Sequence, residues 1–302
     1  MTPQVSILIP TQGRMRELRE LLSSLAQMDA RDRIPHEIIV ANNAPDELTA
    51  QMVENLVGEY GAPEPGRWRH VREPLPGKSL ALNKIIPLAQ AEILGFIDDD
   101  VTVEKSWLRV TAEFFSQYSY DVKQGSILVP SQFSGDANLH NLLNRYRTIC
   151  YYQKPGAEVR EIRSLNGANM ALRREFLQRC GLFDERIGPG RSGTSMDVEF
   201  GERVMRVGGR IGYAPGSIVY HQVDWNRLTE SYFRQRHEMQ GRSRLIYKQC
   251  SALSIAANLL RSLLEFGVYS VAHNERKKYR AKGRIYHYRA MANDKIRRRS
   301  DV

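Results

Sequence analysis

Three apolar runs, each ending in a polar turn, constrain the fold of this 302-residue chain more than any other feature. Residues 5–10 (VSILIP) close on Pro10 and lead into Thr11. Residues 37–41 (EIIVA) lead into Asn42-Asn43-Ala44-Pro45-Asp46, and residues 93–97 (ILGFI) run straight into Asp98-Asp99-Asp100. Continuous apolar runs of this length suit strands buried on both faces. Between them the apolar spacing becomes helical. Met15, Leu18, Leu22 and Leu25 share one face of a helix over 14–28, and Leu48, Met52 and Leu56 share one over 47–60. A short strand at 68–71, a helix capped by Ser79 and running to about 90, a helix over 105–118 and a strand at 126–130 continue the rhythm. Strand and helix in this alternation predict an α/β fold, a mostly parallel sheet flanked by helices. Ligands of such sheets bind at the carboxyl ends of the strands. Thr11, Asn42 and Asp98 stand at such ends, so their turns are expected to converge on one crevice.

The second half is less regular. Residues 131–165 carry Tyr146, Tyr151, Tyr152 and several arginines. A helix over 197–207 is ended by Gly208-Gly209, and a strand over 211–220 leads to His221. Two further helices are expected over 227–248 and 253–272. The expected division is a core at 1–222, C-terminal helices at 223–272 on the acceptor side or near a membrane, and a basic tail at 273–302.

The formal net charge of +10 is unevenly placed. Residues 273–302 hold eleven Lys and Arg against Glu275, Asp294 and Asp301, a net of +8, which leaves about +2 for the rest. The body is nearly neutral and carries no nucleic-acid motif, so nucleic acid is not an expected partner. The apolar stretch 253–272 is as long as a membrane span but is interrupted by Asn258, Arg261 and Glu265, which favours an amphipathic helix. Followed by the basic segment, it forms a two-signal arrangement for an anionic membrane surface. Cys150, Cys180 and Cys250 are far apart with no CxxC, which suits a reducing compartment. The N-terminal residues read as a folded strand, not as a signal peptide. A cytoplasmic location, peripheral on the inner face of the membrane, is expected.

Asp98-Asp99-Asp100 carries the strongest chemical signal. Three adjacent carboxylates repel one another, and a cation offsets that repulsion. Hard cations such as Mg²⁺ and Mn²⁺ take one or two protein carboxylates and complete their shell with phosphate oxygens and water. An acidic turn capping the next helix is the plainer reading of the triplet alone.

The stretches VSILIPTQGR, EIIVANNAPDE, LPGKSLALNKII, GFIDDDVTVEKSWL, NGANMALRREFL, GLFDERIG and MDVEFGERVMRVGGRIGYAPGSIVYH occur in that order. Together they resemble the family 2 glycosyltransferases over roughly residues 4–245. The resemblance implies the Rossmann-like GT-A fold and inverting transfer of a single sugar from a nucleotide-diphosphate sugar, in polysaccharide or glycoconjugate synthesis. It implies donor contacts from Pro10, Thr11, Arg14, Asn42, Lys78, Asp98, Asp99 and Asn169. It also implies Mn²⁺ or Mg²⁺ held by Asp98, Asp100 and His221, with Asp197 as the catalytic base. The chemistry agrees: a departing diphosphate gains charge that a metal offsets, and an acceptor hydroxyl needs a carboxylate to take its proton. Asn166 and Asn169 also read as caps of a helix beginning near Arg173, Lys78 as a loop lysine, and Arg234, Arg236 and His237 as a solvated helix face.

Three positions depart from the family pattern. Asn42 stands where Asp is usual and offers a base edge a different donor and acceptor set, so UDP-, GDP- and dTDP-linked donors all stay open. Gly13 replaces a common Asn. Met196 replaces the first acid of a Glu-Asp pair, leaving Asp197 with Glu199 as a second candidate base. No QxxRW-type motif of the processive members is present, which favours single addition. The acceptor stays open among saccharide, lipid-linked and small-molecule types. A non-catalytic membrane-surface scaffold on a degenerate transferase fold is the alternative; retention of Asp98, Asp100, Asp197 and His221 together argues against it.

Overall fold

The computed structural model describes residues 2–29, 33–64, 66–150 and 158–300; Tyr151 and Tyr152 lie outside the described residues. The strands are β1 (Val5–Thr11), β2 (His36–Asn42), β3 (Trp68–Arg72), β4 (Ile93–Ile97), β5 (Val101–Val103), β6 (Val122–Leu128), β7 (Arg160–Ile162), β8 (Asn169–Arg173) and β9 (Ile211–His221). The helices are α1 (Met15–Ala26), α2 (Glu47–Gly61), α3 (Lys78–Ile85), α4 (Trp107–Gln117), α5 (Ala137–Arg145), α6 (Leu177–Cys180), α7 (Met196–Arg206), α8 (Glu230–Tyr247), α9 (Ala252–Val271) and α10 (Glu275–Ser300). The chain divides into two compact units. The first takes residues 1–130, 153–185 and 196–222, and the second takes 131–152, 186–195 and 223–302.

In the first unit the described strands form one sheet in the order β3-β2-β1-β4-β8-β6-β9-β5, with β7 also on β9. β1, β2, β3, β4, β6 and β9 share one direction, and β5, β7 and β8 run against it. The strand alternation sorts the apolar residues onto two covered faces. Ile7, Ile9, Ile38 and Val40 pack with Leu18 and Leu22 of α1 and Trp107 of α4. Leu8, Ile39 and Ala41 pack with Leu82 and Ile85 of α3 and Phe200 of α7. Each such side chain, fully buried, contributes roughly 1.5–3 kcal/mol. Ser79 does not cap α3. Gly77 precedes the helix, Ser79 is buried in its first turn, and a 3₁₀ turn over Ile86–Leu88 ends it at Pro87.

A 3₁₀ turn does begin at Arg174 and leads into α6, but Asn169 does not cap it: Asn169 is the first residue of β8 and has no exposure. Between Gly125 and Ser126 the β6–β9 register skips from Ala214 to Ile218. The bulge leaves carbonyls facing inward, and Asn169 Nδ2 donates to Ser126 O at 2.9 Å and to Ser217 O at 2.8 Å. Its Oδ1 accepts from Trp107 Nε1 at 2.9 Å. A side chain on Gly125 would overlap the Asn169 amide and Ser217 O, so only glycine admits this approach.

Beside the bulge, Lys123 is wholly buried. Its Nζ contacts Ser217 Oγ at 2.6 Å and Thr111 Oγ1 at 2.9 Å, and lies 4.8 Å from the Trp107 ring centroid. Burial pushes this amine well below the usual lysine range. The unfolded chain holds a proton up to about pH 10.4 that the folded chain has already released. Stability therefore rises with pH between the folded value and about 10.4, by at most about 1.4 kcal/mol per pH unit from this group. Lys123→Met is expected to remove that slope and raise stability at pH 7. Urea unfolding of both proteins between pH 7 and 9 checks it; parallel pH dependences would show that Lys123 folds charged.

The second unit is helical. Phe233 of α8 is fully buried against Tyr146, Tyr279 and Tyr286, with ring centroids 5.4, 5.7 and 6.2 Å away. His237 is buried and pushed down to about 4 by that burial, so it is neutral at pH 7. The expected solvated face of α8 is thus divided: Arg234 pairs with Glu238 at 2.8 Å, and Arg236 donates to Gly193 O at 3.2 Å. Residues 275–300 of the expected tail are helical. α10 packs along α8 and α9 and buries Ala281, Ala290 and Met291. Among the described residues no helix is long and apolar enough to cross a membrane.

Candidate active site

Thr11 ends β1, in register with Asn42 at the end of the parallel strand β2. The Thr11 hydroxyl donates to Asp99 Oδ2 at 2.7 Å and accepts from Gly13 N–H at 3.0 Å. Gly13 has φ +84°, and a Cβ there would overlap the Thr49 methyl. That accounts for the absence of the usual asparagine. The turn delivers Arg14, whose guanidinium grips Asp99 and reaches Asp100 Oδ2 at 2.8 Å.

Each carboxylate of the acidic triplet therefore has a partner, and Arg14 serves two of them. Asp98 pairs with Lys78, Asp99 with Thr11 and Arg14, and Asp100 with Arg14 and His221. Burial pushes the Asp99 carboxyl up, against the pull of Arg14. Burial also works against the Arg14 charge, but Asp99 and then Asp100 hold it above its ordinary range. Lys78 behaves alike: burial opposes its charge, and Asp98, then Asp197 and Asp100, raise it.

Lys78 opens α3 after the loop 73–77. Asn43, which the sequence reading passed over, positions that loop. Its Nδ2 donates to Glu73 O and Leu75 O, both at 2.7 Å, and its Oδ1 accepts from Gly77 N–H at 3.0 Å. The Asn-Asn doublet was the available signal. Asn42, expected at the nucleotide base, is 1 % exposed. Its Nδ2 donates to Ala50 O at 2.8 Å and its Oδ1 accepts from Ala44 N–H at 3.4 Å, which fastens the end of β2 to α2. Asn169, expected at the substrate, commits its amide to the carbonyls of the β6–β9 bulge and to Trp107.

Asp197 lies half-buried in the first turn of α7. Its Oδ2 accepts from Gly167 N–H at 3.1 Å and its Oδ1 from Val198 N–H at 2.9 Å, which fixes its orientation and leaves each oxygen a second lone pair. Glu199, the second candidate base, is committed elsewhere. Both its oxygens meet Arg203 at 2.9 Å, and Arg203 also holds the carbonyls of Cys180 and Leu182. Met196 is a core residue at 3 % exposure.

His221 ends β9, paired with Val101, so the backbone sets it beside Asp100. Its Nδ1 donates to Gln222 O at 2.8 Å. In the neutral ring the Nε2 lone pair then faces Asp100 Oδ1 at 3.5 Å, beyond hydrogen-bond distance. A carboxylate oxygen and an imidazole nitrogen facing each other, with the second ring nitrogen tied to a carbonyl, is a donor set that fits a divalent cation. Asp98, expected as a third ligand, is held by Lys78 instead. Among the described residues no group of three or more His, Cys, Asp and Glu side chains converges to hold a metal. A two-residue set still suits Mg²⁺ or Mn²⁺ when phosphate and water complete the shell.

Known proteins resemble this chain in sequence and in fold. The succinoglycan biosynthesis protein ExoM of Rhizobium meliloti is 26 % identical over 253 residues, which span 82 % of this chain and 76 % of ExoM. The mannosyltransferase PcManGT of Pyrobaculum calidifontis, solved with GDP-Man and Mn²⁺, superposes with a TM-score of 0.60 at 18 % identity over 98 % of this chain and 87 % of its own. GalNAc-T7, solved with UDP, GalNAc and Mn²⁺, gives 0.57 at 16 % identity over 84 % of this chain and 53 % of its own. These structural likenesses agree with the expected GT-A type of α/β fold. Residues 6–181, more than half of the chain, match the family described as Glycosyl transferase family 2. The chain belongs to that family and is a glycosyltransferase.

Proposed function

We propose that the chain transfers one sugar, with inversion at the anomeric carbon, from a UDP-, GDP- or dTDP-linked donor to an acceptor hydroxyl, assisted by Mn²⁺ or Mg²⁺. The observation that carries this reading is the division of the site into one oriented carboxylate, Asp197, and a separate cluster of Arg14, Asp100 and His221. Asp197 takes the proton of the acceptor hydroxyl as its oxygen bonds to the anomeric carbon. The bond to the diphosphate breaks on the opposite side, and its electron pair leaves with the diphosphate. A single in-line displacement of this kind inverts the carbon. Lys78 and Arg14 supply fixed positive charge to the departing group. A divalent cation held by Asp100 and His221 would add to that charge.

The neighbours PcManGT and GalNAc-T7, solved with GDP-Man and with UDP, support the view that this fold accepts either base. The internal bonds of Asn42 leave base choice to other groups. The name of ExoM supports a saccharide acceptor; a small-molecule or lipid-linked one fits the same chemistry. A lipid-linked acceptor would be met at the inner face of an anionic membrane, with the chain peripheral to it. The test is a panel of nucleotide sugars with Mn²⁺ or Mg²⁺, read as thermal stabilisation and as donor hydrolysis. One donor at a hundredfold over its Kd should add about 2.7 kcal/mol, several degrees in Tm, only when metal is present. A panel in which no donor responds to metal would defeat the reading.

A further inference from the structure

α9 carries an apolar face that nothing in its own unit covers. Leu253, Leu260, Leu264, Val268 and Val271 are 84, 59, 64, 63 and 83 % exposed, with Leu263 beside them at 49 %. Their spacing places them on one side of the helix, a stripe about 27 Å long at 1.5 Å per residue. The opposite side is the packed one, where Ile255 and Ser262 are buried. Of the two charges of α9, Glu265 stands off the stripe and holds both Arg261 and Arg284 of α10, while Arg261 borders the stripe seven residues before Val268.

α10 runs back along α9. Lys277 lies 5.2 Å from the Tyr269 ring centroid near the end of α9, and the Lys295 ammonium reaches Cys250 O just before its start. Exposed basic residues therefore sit at both ends of the stripe. Arg276, Lys277 and Arg280 are at one end, and Lys248 and Arg297 at the other. A second copy of the chain on this face would bring two segments of net +8 together, which like-charge repulsion opposes. An anionic surface with an apolar layer beneath complements both features.

We propose that the exposed stripe of α9 lies in the interface of an anionic lipid bilayer, parallel to the membrane plane, with the basic residues at its ends and on α10 on the headgroups. This deepens, and rests on, the membrane-side acceptor reading above. It keeps the two signals expected for 253–302 and places the basic one on a folded helix, α10, packed along α9. Deleting 273–302 would uncover the core of the second unit, so surface substitutions are the sound test.

The full chain should co-sediment with phosphatidylcholine vesicles that contain phosphatidylglycerol, much less with pure phosphatidylcholine, and less as salt rises. A Leu260→Gln, Leu264→Gln, Val268→Gln variant keeps helix-forming residues at exposed positions. It should bind the anionic vesicles about a hundredfold more weakly. Metal-dependent donor hydrolysis should be unchanged in it. Leu264→Trp should shift its emission to the blue and be quenched by brominated lipid on anionic vesicles. Equal sedimentation of the triple variant and the wild type would overturn the proposal. So would a wild type that is dimeric without vesicles and made monomeric by the triple substitution, since a second copy would then occupy the face. Vesicle binding that responds to the substitutions in a chain whose donor hydrolysis does not respond to metal would leave the docking intact and sink the metal-assisted reading proposed above.

Discussion

Asp197→Asn is expected to lower turnover by roughly 10²–10⁴-fold, the usual contribution of a general base, while donor affinity stays near that of the unaltered chain. The amide keeps the shape and one acceptor oxygen, so a bond from Gly167 or Val198 N–H survives, but it cannot take the proton of the acceptor hydroxyl. Glu199 cannot take over, because Arg203 holds both its oxygens and disengaging them would leave a buried carboxylate and a half-buried arginine without their partners. Glu199→Gln is therefore expected to act on stability more than on turnover. Rates measured with saturating donor, together with calorimetric donor affinity, separate the two effects. Near-normal turnover of the Asn variant would remove Asp197 from the role. A loss confined to donor affinity would make it a binding residue.

The path to this site was readable where local pattern and position coincide. The runs ending at Thr11, Asn42 and Asp98 are strands because nothing in them competes with burial on both faces, and β4 carries the triplet where a strand end should. Other features depend on partners distant in the chain. Asn169 closes bonds to residues 43 and 48 positions away, and nothing in its neighbours in the chain announces a bulge elsewhere. Asn42 and Asn43 look alike in sequence, yet one fastens β2 to α2 and the other sets the loop before Lys78. The first half of β6 was missed because Lys123, Gln124 and Gly125 read as polar, although all are buried or internally bonded. α10 read as a tail because its charges outnumber its apolar residues. Its packed face uses small residues such as Ala281 and Ala290, which leave little periodic signal, and long basic side chains reach solvent past it. β5 and β7 span three residues each, too short for a period to register.

Asp100→Ala is expected to abolish metal-dependent donor binding while the protein stays folded. The two oxygens of Asp100 have separate tasks. Oδ2 meets Arg14 at 2.8 Å, and Oδ1 faces His221 Nε2 at 3.5 Å. Removing the carboxylate leaves one imidazole, and hard cations bind through oxygen ligands, so Mn²⁺ or Mg²⁺ loses its main hold. Loss of an outer partner of a metal ligand costs 10–100-fold in affinity, so loss of the ligand itself should exceed about a hundredfold. The fold should survive because Arg14 keeps its pair with Asp99, and one carboxylate fewer in the triplet relieves repulsion. Asp98→Asn offers the contrast. Asp98 holds Lys78 in place and is not a metal partner here, so this change should alter donor binding equally with and without metal. Calorimetric titration of the donor with Mn²⁺ and with chelator distinguishes the cases. An Asp100→Ala protein that binds donor and metal as tightly as the wild type would show the assignment wrong. Loss of the metal response in Asp98→Asn alone would return the metal to Asp98, with Lys78 displaced when the donor binds.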